Sequence, residues 1–451
     1  MNNDIIVAIS TTLGKGAISI VRLSGEGSIE LVNEVFKGKD LTKVDSHTIN
    51  YGHIVDKNII IDEVLISIMK APKTYTKEDV VEVNCHGGIA VTNKIVELFV
   101  SKGARLALPG EFTKRAFLNG RIDLVEAEAV SDLIESKTDS ARKMSMRGIS
   151  HELSNKINDL RSNILTLIAN IEVNIDYPEY EDAVVVTKEL VEEKVNYVEE
   201  KINELIDNSK NGLIIKNGIN IAIVGKPNVG KSSILNELLG EEKAIVTDVK
   251  GTTRDIVEGS IVINGIETNF FDTAGIRETN EIVESIGIEK SIKKINDSDL
   301  ILFVVDSSDD FDKEDEEVLD KIKNKKVLVV YNKIDLGKKK NSKLDKFDSI
   351  EITTKEKDNI KLLKDKIVEI FNLNDIKNSD YTYISNARQI GLLNNCLNII
   401  KDIKKELKSD TPVDLMEINI KLLWETLGEI TGSVYKDDLL DEIFSKFCLG
   451  K

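Results

Sequence analysis

The feature that most constrains the fold of this chain is the octapeptide Gly225–Ser232, which reads GKPNVGKS. The apolar run Ile219–Val224 predicts a buried strand before it, and Ser233–Leu239 predicts a helix after it, with Gly240 placed to end that helix. Its glycines let backbone N–H groups point toward phosphate oxygens at the positive end of the helix. We interpret the octapeptide as a phosphate-binding loop. A plain glycine turn is the alternative, and the match of all eight residues disfavours it.

A second motif follows at the spacing expected of a nucleotide switch. In a phosphate-binding loop Lys231 would reach the β- and γ-phosphates, and the Ser232 hydroxyl would ligate magnesium. The motif Gly251–Asp255 (GTTRD) lies in a polar loop that would fold over the γ-phosphate. Of its two threonines, Thr253 is the better candidate for the metal. Taken alone, such a segment would be a polar turn more often than a switch. Its distance along the sequence from the phosphate loop favours the switch interpretation.

Two more motifs each follow an apolar strand. The first, Asp272–Gly275 (DTAG), would bring a carboxylate to the magnesium and a glycine N–H to the γ-phosphate. The second, Asn332–Asp335 (NKID), ends in a carboxylate that can accept hydrogen bonds from guanine N1–H and N2–H. Adenine would leave that carboxylate unpaired, so the motif predicts GTP and not ATP. A last guanine loop, usually Ser-Ala-Lys, reads Thr353-Thr354-Lys355 here, which keeps a backbone contact possible.

The predicted nucleotide contacts fall in four segments of the chain. They are Asn228, Val229, Gly230, Lys231, Ser232 and Ser233; Thr247, Asp248, Val249, Lys250, Gly251, Thr252 and Thr253; Asp272, Thr273, Ala274 and Gly275; and Asn332, Lys333 and Asp335.

The hydrolytic residues are less typical of small GTPases. Ile276 stands where many of them have a water-orienting glutamine. Glu284 is one candidate for that function, and a solvated helix charge is its plain alternative. Arg254 and Arg277 lie near enough in sequence to neutralise transition-state charge, but neither position identifies an arginine finger. The amide of Asn228 would alternatively place a monovalent cation beside the phosphates.

The rest of the chain divides into regions of different periodicity. Residues 1–118 alternate strands and turns, which predicts an α+β domain. Residues 119–216 and 374–451 carry apolar positions at helical spacing and predict two halves of one helical domain. Residues 217–373, inserted between the halves, alternate strands and helices as a doubly wound parallel sheet requires. An inserted switch domain would act on two chain connections at once.

Composition narrows the setting. A net charge of −17 argues against a broad basic face for nucleic acid, so a partner would supply much of any RNA-binding surface. A local basic patch remains conceivable around Lys102, Arg105, Lys114, Arg115 and Arg121. Three cysteines without a close pair fit a reducing cytosol, and the absence of a leader or a long apolar run predicts a cytoplasmic protein without a membrane span. The pair Cys85–His86 has no zinc spacing and is expected to be structural, and Cys448 is expected on a frayed terminus.

The whole pattern resembles the bacterial tRNA-modification GTPases of the MnmE (TrmE) family. Beyond the GTPase motifs, the resemblance rests on four stretches in the first 120 residues and one at the end. They are Asp4–Ile9, Arg22–Gly25, Glu82–Gly88, Leu108–Thr113 and Phe447–Lys451.

The resemblance implies a homodimer whose N-terminal domain dimerises and binds formyl-tetrahydrofolate or a related one-carbon folate. The implied folate contacts are Arg22, Glu82, Arg121 and Lys451; Arg121 stands where the family often has lysine. It also implies a flavoprotein partner, MnmG (GidA), in a heterotetramer that adds a carboxymethylaminomethyl-type group to C5 of the wobble uridine, position 34, of certain tRNAs.

The resemblance assigns the remaining site residues as well. Potassium is expected to bind at Asn228, Thr247, Val249 and Thr252, and magnesium at Ser232 and Thr253. Glu284 matches the catalytic glutamate of the family, thought to act through water, and Cys448 a cysteine with an unsettled part in modification. A GTP-timed assembly or ribosome-associated factor with a folate-type scaffold is the alternative function, and a pure interaction module conflicts with the intact phosphate apparatus.

Overall fold

The structure, a computed structural model, describes residues 4–176, 185–240, 259–272, 294–378, 384–409 and 411–450. The chain divides into two compact units. The first contains residues 1–134, 146–202 and 391–451, and the second contains residues 135–145 and 203–390. The second unit therefore interrupts the first along the sequence. Residues 135–145, which the sequence assigned to the helical domain, group with the second unit; the predicted domain boundaries stay predictions.

The first unit holds a seven-stranded sheet in the order β3-β4-β5-β6-β2-β1-β7. Neighbouring strands are antiparallel except for β1 and β7, which are parallel. The strands are β1 Ile6–Ile9, β2 Ile18–Ser24, β3 Phe36–Lys37, β4 Thr48–Asp56, β5 Ile59–Met69, β6 Val80–His86 and β7 Arg105–Leu106. One face packs on a core that includes Val21, Ile66, Ile95 and Phe99. The alternation of buried and exposed residues along β4 and β5 follows the two-residue period of a strand.

The helices described up to residue 217 are α1 Ser28–Val35, α2 Ile89–Ser101, α3 Glu111–Leu118, α4 Leu124–Glu135, α5 Asp139–Ile149, α6 Glu152–Asp176 and α7 Lys188–Asn217. On α6 the buried residues Leu153, Ile157, Leu160 and Ile164 recur every three or four positions, which places them on one face. The helical spacing of apolar residues in the sequence thus matches the spacing of buried residues along α6.

The second unit holds a six-stranded sheet in the order β13-β12-β11-β8-β10-β9. All neighbouring pairs are parallel except β9 and β10. The strands are β8 Ile219–Val224, β9 Gly259–Ile263, β10 Ile266–Asp272, β11 Leu300–Asp306, β12 Val327–Asn332 and β13 Asp348–Glu351. The later helices of the chain are α8 Lys231–Gly240, α9 Lys313–Ile322, α10 Lys357–Ile370, α11 Leu373–Asn378, α12 Ala387–Lys408, α13 Val413–Thr431 and α14 Asp437–Ser445.

Both faces of this second sheet are covered. Along β8, Ile221 and Ile223 belong to one buried core, and Ala222 and Val224 belong to another on the opposite face. The predicted fold class is confirmed: a mixed α+β region, a helical region and a doubly wound nucleotide-type sheet. Within the described residues, no helix is long and apolar enough to cross a membrane.

Candidate functional site

The phosphate loop lies at the carboxyl end of the central strand β8 and leads into α8. Gly230 adopts φ 100°, and a Cβ atom there would lie 2.2 Å from Nδ2 of Asn332. Only glycine combines that backbone conformation with so close an approach. The loop is therefore packed directly against the first residue of the NKID motif.

The ammonium of Lys231 lies against the start of the same loop. Its Nζ donates hydrogen bonds of 2.9 Å to the carbonyl oxygens of Gly225 and Lys226, and its side chain is buried. Ser232, the next residue, is in the first turn of α8. A buried ammonium and a hydroxyl at the positive end of a helix form an environment suited to phosphate and magnesium.

The NKID motif ties the base side of the site to the phosphate side. Asn332 donates from Nδ2 to the carbonyl oxygen of Val229 at 2.8 Å. Lys333 donates from Nζ to the carbonyl oxygen of Asn228 at 2.7 Å and to Oδ2 of Asp306 at 2.6 Å. Two consecutive side chains thus hold two consecutive loop carbonyls, which fixes the path of the loop relative to β12.

Asp335 is held as an acceptor by the atypical last loop. The hydroxyl of Thr353 donates to Oδ1 of Asp335 at 2.9 Å, and Nζ of Lys355 donates to Oδ2 at 2.6 Å. The hydrogen bond from Lys355 lowers the pKa of the Asp335 carboxyl, which keeps it ionised. The Thr353-Thr354-Lys355 segment therefore lies beside the NKID motif. Thr353 contacts Asp335 through its side chain.

Several predicted nucleotide and metal residues lie outside the described residues. They are Thr247, Asp248, Val249, Lys250, Gly251, Thr252, Thr253, Thr273, Ala274, Gly275 and Glu284. The backbone of Asp272 is described: it ends β10 and pairs with Ile223 of β8, one residue before the strand reaches the phosphate loop. Of the predicted potassium set, the structure describes Asn228, and of the magnesium set Ser232.

A second charged site lies on the seven-stranded sheet. Arg22 and Glu82 face each other in the register of β2 and β6. Nε and Nη2 of Arg22 lie 2.8 and 2.7 Å from Oε1 of Glu82. Nη1 of the same arginine donates to the carbonyl oxygen of Gly450 at 3.2 Å. Two predicted folate residues are thus in direct contact, and the last described residue of the chain meets them.

The C-terminal segment is packed, so the expected frayed terminus is wrong up to residue 450. The N–H of Gly110 donates to the carbonyl oxygen of Cys448 at 3.3 Å, while the Cys448 side chain is exposed. Gly450 has φ 86°, and a Cβ there would lie 2.3 Å from the carbonyl oxygen of Ile9. Glycine lets the chain end approach β1 this closely.

Two of the predicted folate residues lie against aromatic rings. The Cζ of Arg121 lies 4.7 Å from the centre of the Tyr75 ring, and the Cζ of Arg22 lies 5.7 Å from the centre of the Phe112 ring. Tyr75 packs against the small core that contains Phe112. Neither ring is predicted from the sequence as a site residue. Phe112 lies in the quoted run Leu108–Thr113, whereas no motif marks Tyr75. Lys451, the fourth predicted folate residue, lies outside the described residues.

Acidic residues pair with four of the five cations of the expected basic patch. Arg105 contacts Asp4 at 2.6 Å and Glu111 at 2.5 Å, and Arg115 contacts Asp4 at 2.7 Å and Glu78 at 3.3 Å. Lys102 pairs with Glu34 and Lys114 with Asp441. Arg121 stacks on Tyr75. The patch expected from sequence is an ion-pair network that joins distant parts of the first unit.

The Cys85–His86 pair has structural partners. The buried Sγ of Cys85 donates to the carbonyl oxygen of Ser19 at 3.4 Å, and burial raises the pKa of this thiol. The ring of His86 lies 2.7 Å from Asp62, whose hydrogen bond raises the pKa of the imidazole. These contacts agree with the structural interpretation of the pair.

Comparisons with known proteins cover nearly the whole chain. The model of the MnmE helical domain matches residues 124–448, and that of the GTP-binding protein TrmE N-terminus matches residues 5–121. The tRNA modification GTPase MnmE of Streptococcus thermophilus (strain CNRZ 1066) is 50% identical over 449 residues, 99% of this chain and 98% of that protein. The tRNA modification GTPase MnmE of Bacillus cytotoxicus is 49% identical over 458 residues, 100% of each chain. A solved structure of Aquifex aeolicus Era bound to GDP and AlF4− is 31% identical over 34% of this chain and 56% of that one, with a TM-score of 0.27, too low to support an inference.

Proposed function

Because this chain belongs to the MnmE family of tRNA modification GTPases, we propose that it hydrolyses GTP in a potassium-dependent way and, with the flavoprotein MnmG, modifies wobble uridines. The product would be a carboxymethylaminomethyl-type group on C5 of uridine 34 in certain tRNAs. The observation that carries the GTPase part is the contact between Asn332 and Val229, which joins a guanine motif to a phosphate loop in one rigid site. The chain is a GTP hydrolase that acts in tRNA modification.

Selectivity for guanine follows from the state of Asp335. Its two oxygens are held by Thr353 and Lys355 and its pKa is lowered, so it is an ionised acceptor. Guanine presents two N–H donors to such a carboxylate. Adenine presents an acceptor at N1, so the Asp335 carboxylate would face another acceptor, and this mismatch would cost much of the binding free energy.

Magnesium and potassium fit the residues of the phosphate loop. A hydroxyl in the first helical turn, Ser232, is the ligand that magnesium takes in such loops. Asn228 has φ 63°, its side chain is exposed, and Lys333 holds its carbonyl oxygen. The amide is therefore available to a cation while the backbone is fixed. Potassium bound there would supply positive charge beside the transferred phosphoryl group.

Water activation is assigned to Glu284, which lies outside the described residues. Ile276 has no hydrogen-bonding side chain and cannot orient water. We therefore expect Glu284→Ala to slow GTP hydrolysis while the affinity for GTP stays nearly unchanged. A large loss of affinity would instead make Glu284 a structural residue.

A folate carrier fits the Arg22–Glu82 site. The two side chains combine a cation and a carboxylate on one face of the sheet, with Arg121 over Tyr75 nearby. A folate carries donors and acceptors on its pterin ring and carboxylates on its glutamate tail. A carboxylate such as Glu82 suits the ring donors, and arginines suit the tail. The one-carbon unit for the modification would come from this carrier.

The same sheet face supports a homodimer. Ile49 and Tyr51 on β4 and Leu65 on β5 are exposed, and Tyr51 pairs with Leu65 in the strand register. Ile49 is in register with Ser67, which is in register with Glu82. Exposed apolar residues on one sheet face are typical of an interaction surface. A second copy docked there would lie next to the folate site.

The proposed partners are tRNA and MnmG. Because the proposed substrate is tRNA, we expect the protein to act in the cytoplasm. The net charge of the chain is −17, and among the described residues Arg105 and Arg115 pair with acidic side chains. MnmG would then contribute much of the tRNA contact in the heterotetramer. Cys448, with an exposed side chain close to the folate site, is available for a part in the modification.

The decisive experiment is nucleoside analysis of wobble uridines in cells that lack this protein. Loss of the C5-modified uridine, and its recovery on expression of the wild-type chain but not of Glu284→Ala, is expected. Normal wobble uridines with defective ribosome assembly would instead favour the assembly-factor alternative.

A further inference from the structure

A cluster of four charged residues lies beside the phosphate loop and has no part in the nucleotide contacts described above. Nζ of Lys226, the second residue of the loop, lies 2.9 Å from Asp312, 3.1 Å from Asp315 and 3.5 Å from Asp309. The Lys226 side chain is only 11% exposed. One ammonium therefore meets three carboxylates at the edge of the site.

The acidic half of this cluster is built into the start of α9. Asp312 is the N-cap residue, and Asp315 completes a capping box with it: each side chain accepts from the backbone N–H of the other. These bonds fix both carboxylates relative to the first turn of α9, which the loop after Asp306 connects to β11. Asp312 and Asp315 are thus held in place by backbone hydrogen bonds.

Asp315 needs the charge of Lys226. Its side chain is 2% exposed, and its Oδ1 atom has no hydrogen-bond partner among the described residues. Burial raises the pKa of the Asp315 carboxyl, and the carboxylates raise the pKa of Lys226 above its usual value. A buried carboxylate with an unpartnered oxygen is costly unless a cation lies beside it.

The main chain of Lys226 also takes part in the phosphate loop. Its carbonyl oxygen accepts from Nζ of Lys231, the residue that reaches the nucleotide phosphates. Further along the loop, Asn228 and Val229 are held by the NKID motif. At the start of the loop, Lys231 holds the carbonyl oxygens of Gly225 and Lys226, and the contacts of the Lys226 side chain with α9 add a second attachment.

We propose that Lys226 is a positioning residue for GTP binding, which locks the first turn of the phosphate loop against α9 without touching the nucleotide. Its second effect is electrostatic. Without its charge, Asp309, Asp312 and Asp315 would leave three carboxylates without this cation next to the phosphate loop. The lysine therefore lowers the Kd for the nucleotide in two ways: it holds the first turn of the phosphate loop in place, and its positive charge offsets the nearby carboxylates. The inference rests on guanine-nucleotide binding at this loop.

The test compares Lys226→Met and Lys226→Arg with wild type, by titration of a fluorescent GDP analogue and by GTPase kinetics in potassium buffer. Lys226→Met is expected to raise Kd and KM about tenfold, since a charge-assisted bond contributes roughly that factor. kcat is expected to change less than about twofold, because the lost contact serves ground state and transition state alike. Lys226→Arg keeps the charge and is expected to stay within about threefold of wild type.

Two controls separate positioning from general damage. Lys339→Ala removes an exposed lysine that pairs with Asp310 on the same surface, and it is expected to leave Kd unchanged. The double variant Lys226→Met/Asp315→Asn is expected to lose less affinity than the sum of the two single variants, because each single change breaks one shared contact. The loss in Lys226→Met should also grow as the salt concentration falls.

The outcomes are distinct. A wild-type protein that does not bind the GDP analogue overturns the proposed function itself. Wild-type binding with unchanged Kd in Lys226→Met, or a fall in kcat at constant KM, overturns the positioning role. Additive losses in the double variant overturn the contact with Asp315. A tenfold KM effect rescued by arginine supports the inference.

Discussion

Nη1 of Arg22 donates a hydrogen bond of 3.2 Å to the carbonyl oxygen of Gly450, so residues 428 positions apart meet on the seven-stranded sheet. The hydroxyl of Ser10 donates to the same carbonyl oxygen at 3.2 Å. Gly450 is therefore held by a side chain of β2 and by one that directly follows β1. The C-terminal segment thus contacts the Arg22–Glu82 pair through Arg22.

Arg22→Ala is expected to weaken the binding of formyl-tetrahydrofolate about tenfold or more. The change removes a cation and leaves the Glu82 carboxylate, which would repel a carboxylate-bearing ligand. Isothermal titration calorimetry of the purified protein measures the loss. Arg142→Ala is the matched control, because that arginine pairs with Asp139 on an exposed helix turn. No heat with the wild-type protein would remove the folate assignment.

Asp335→Asn is expected to reverse the nucleotide preference. An amide at this position offers a donor where guanine N2–H also donates, so GTP affinity should fall by about 100-fold. Xanthosine triphosphate has a carbonyl oxygen at C2 and should bind the variant better than it binds the wild type. Competition titrations with both nucleotides check the exchange. A variant that loses both equally would show that Asp335 acts through the fold of the loop, by way of Thr353 and Lys355.

The phosphate loop and the NKID motif were predictable because each is a contiguous segment whose backbone geometry its own residues specify. Glycine at 230 and a strand before the loop are local signals, and the structure places both as expected. The covered sheet was predictable for the same reason, since apolar runs such as Leu300–Asp306 leave no solvent face.

The contacts that were not predicted join residues far apart in sequence. The pairing of Arg115 with Asp4 and Glu78 belongs to an ion-pair network at a place where the sequence indicated a basic patch. Neither the Lys226 cluster nor the docking of Gly450 on Arg22 leaves a local pattern, because a charged residue looks solvated until its partner is known. Which charged residues meet depends on the folded structure. The spacing of apolar residues predicts the helices and strands, but it does not predict these ion pairs.

Potassium is expected to accelerate GTP hydrolysis relative to sodium, and Asn228→Gly should abolish the difference. Asn228 has φ 63°, a conformation that alanine would strain, so glycine removes the amide without a backbone penalty. Asn264→Gly is the matched control, since that asparagine has φ 51° in the turn between β9 and β10. Hydrolysis rates in each salt at equal ionic strength give the ratio. Equal wild-type rates in the two salts would remove the cation role.

The ion-pair network around Glu111 predicts an acid-sensitive stability. Burial raises the pKa of the Glu111 carboxyl, but hydrogen bonds from Arg105 and from the N–H of Leu108 outweigh it, so the net pKa lies below the ordinary value of 4.5. A carboxyl whose pKa is lower in the folded state than in the unfolded state stabilises the protein at pH values above the unfolded pKa. That contribution is lost as the pH falls below 4.5 through the folded pKa.

Glu111→Gln is therefore expected to lower the free energy of unfolding near neutral pH by about 1–3 kcal/mol, because it removes the charge that Arg105 contacts. The deficit should shrink as the pH drops below about 4.5, since the wild-type carboxyl then becomes neutral as well. Thermal unfolding midpoints from pH 7 to pH 3 follow both changes. Glu97→Gln, an exposed residue whose nearest cation is Lys94 at 3.8 Å, should unfold like the wild type. A deficit that stays constant down to pH 3 would mean that Glu111 stabilises the fold by packing and not by charge.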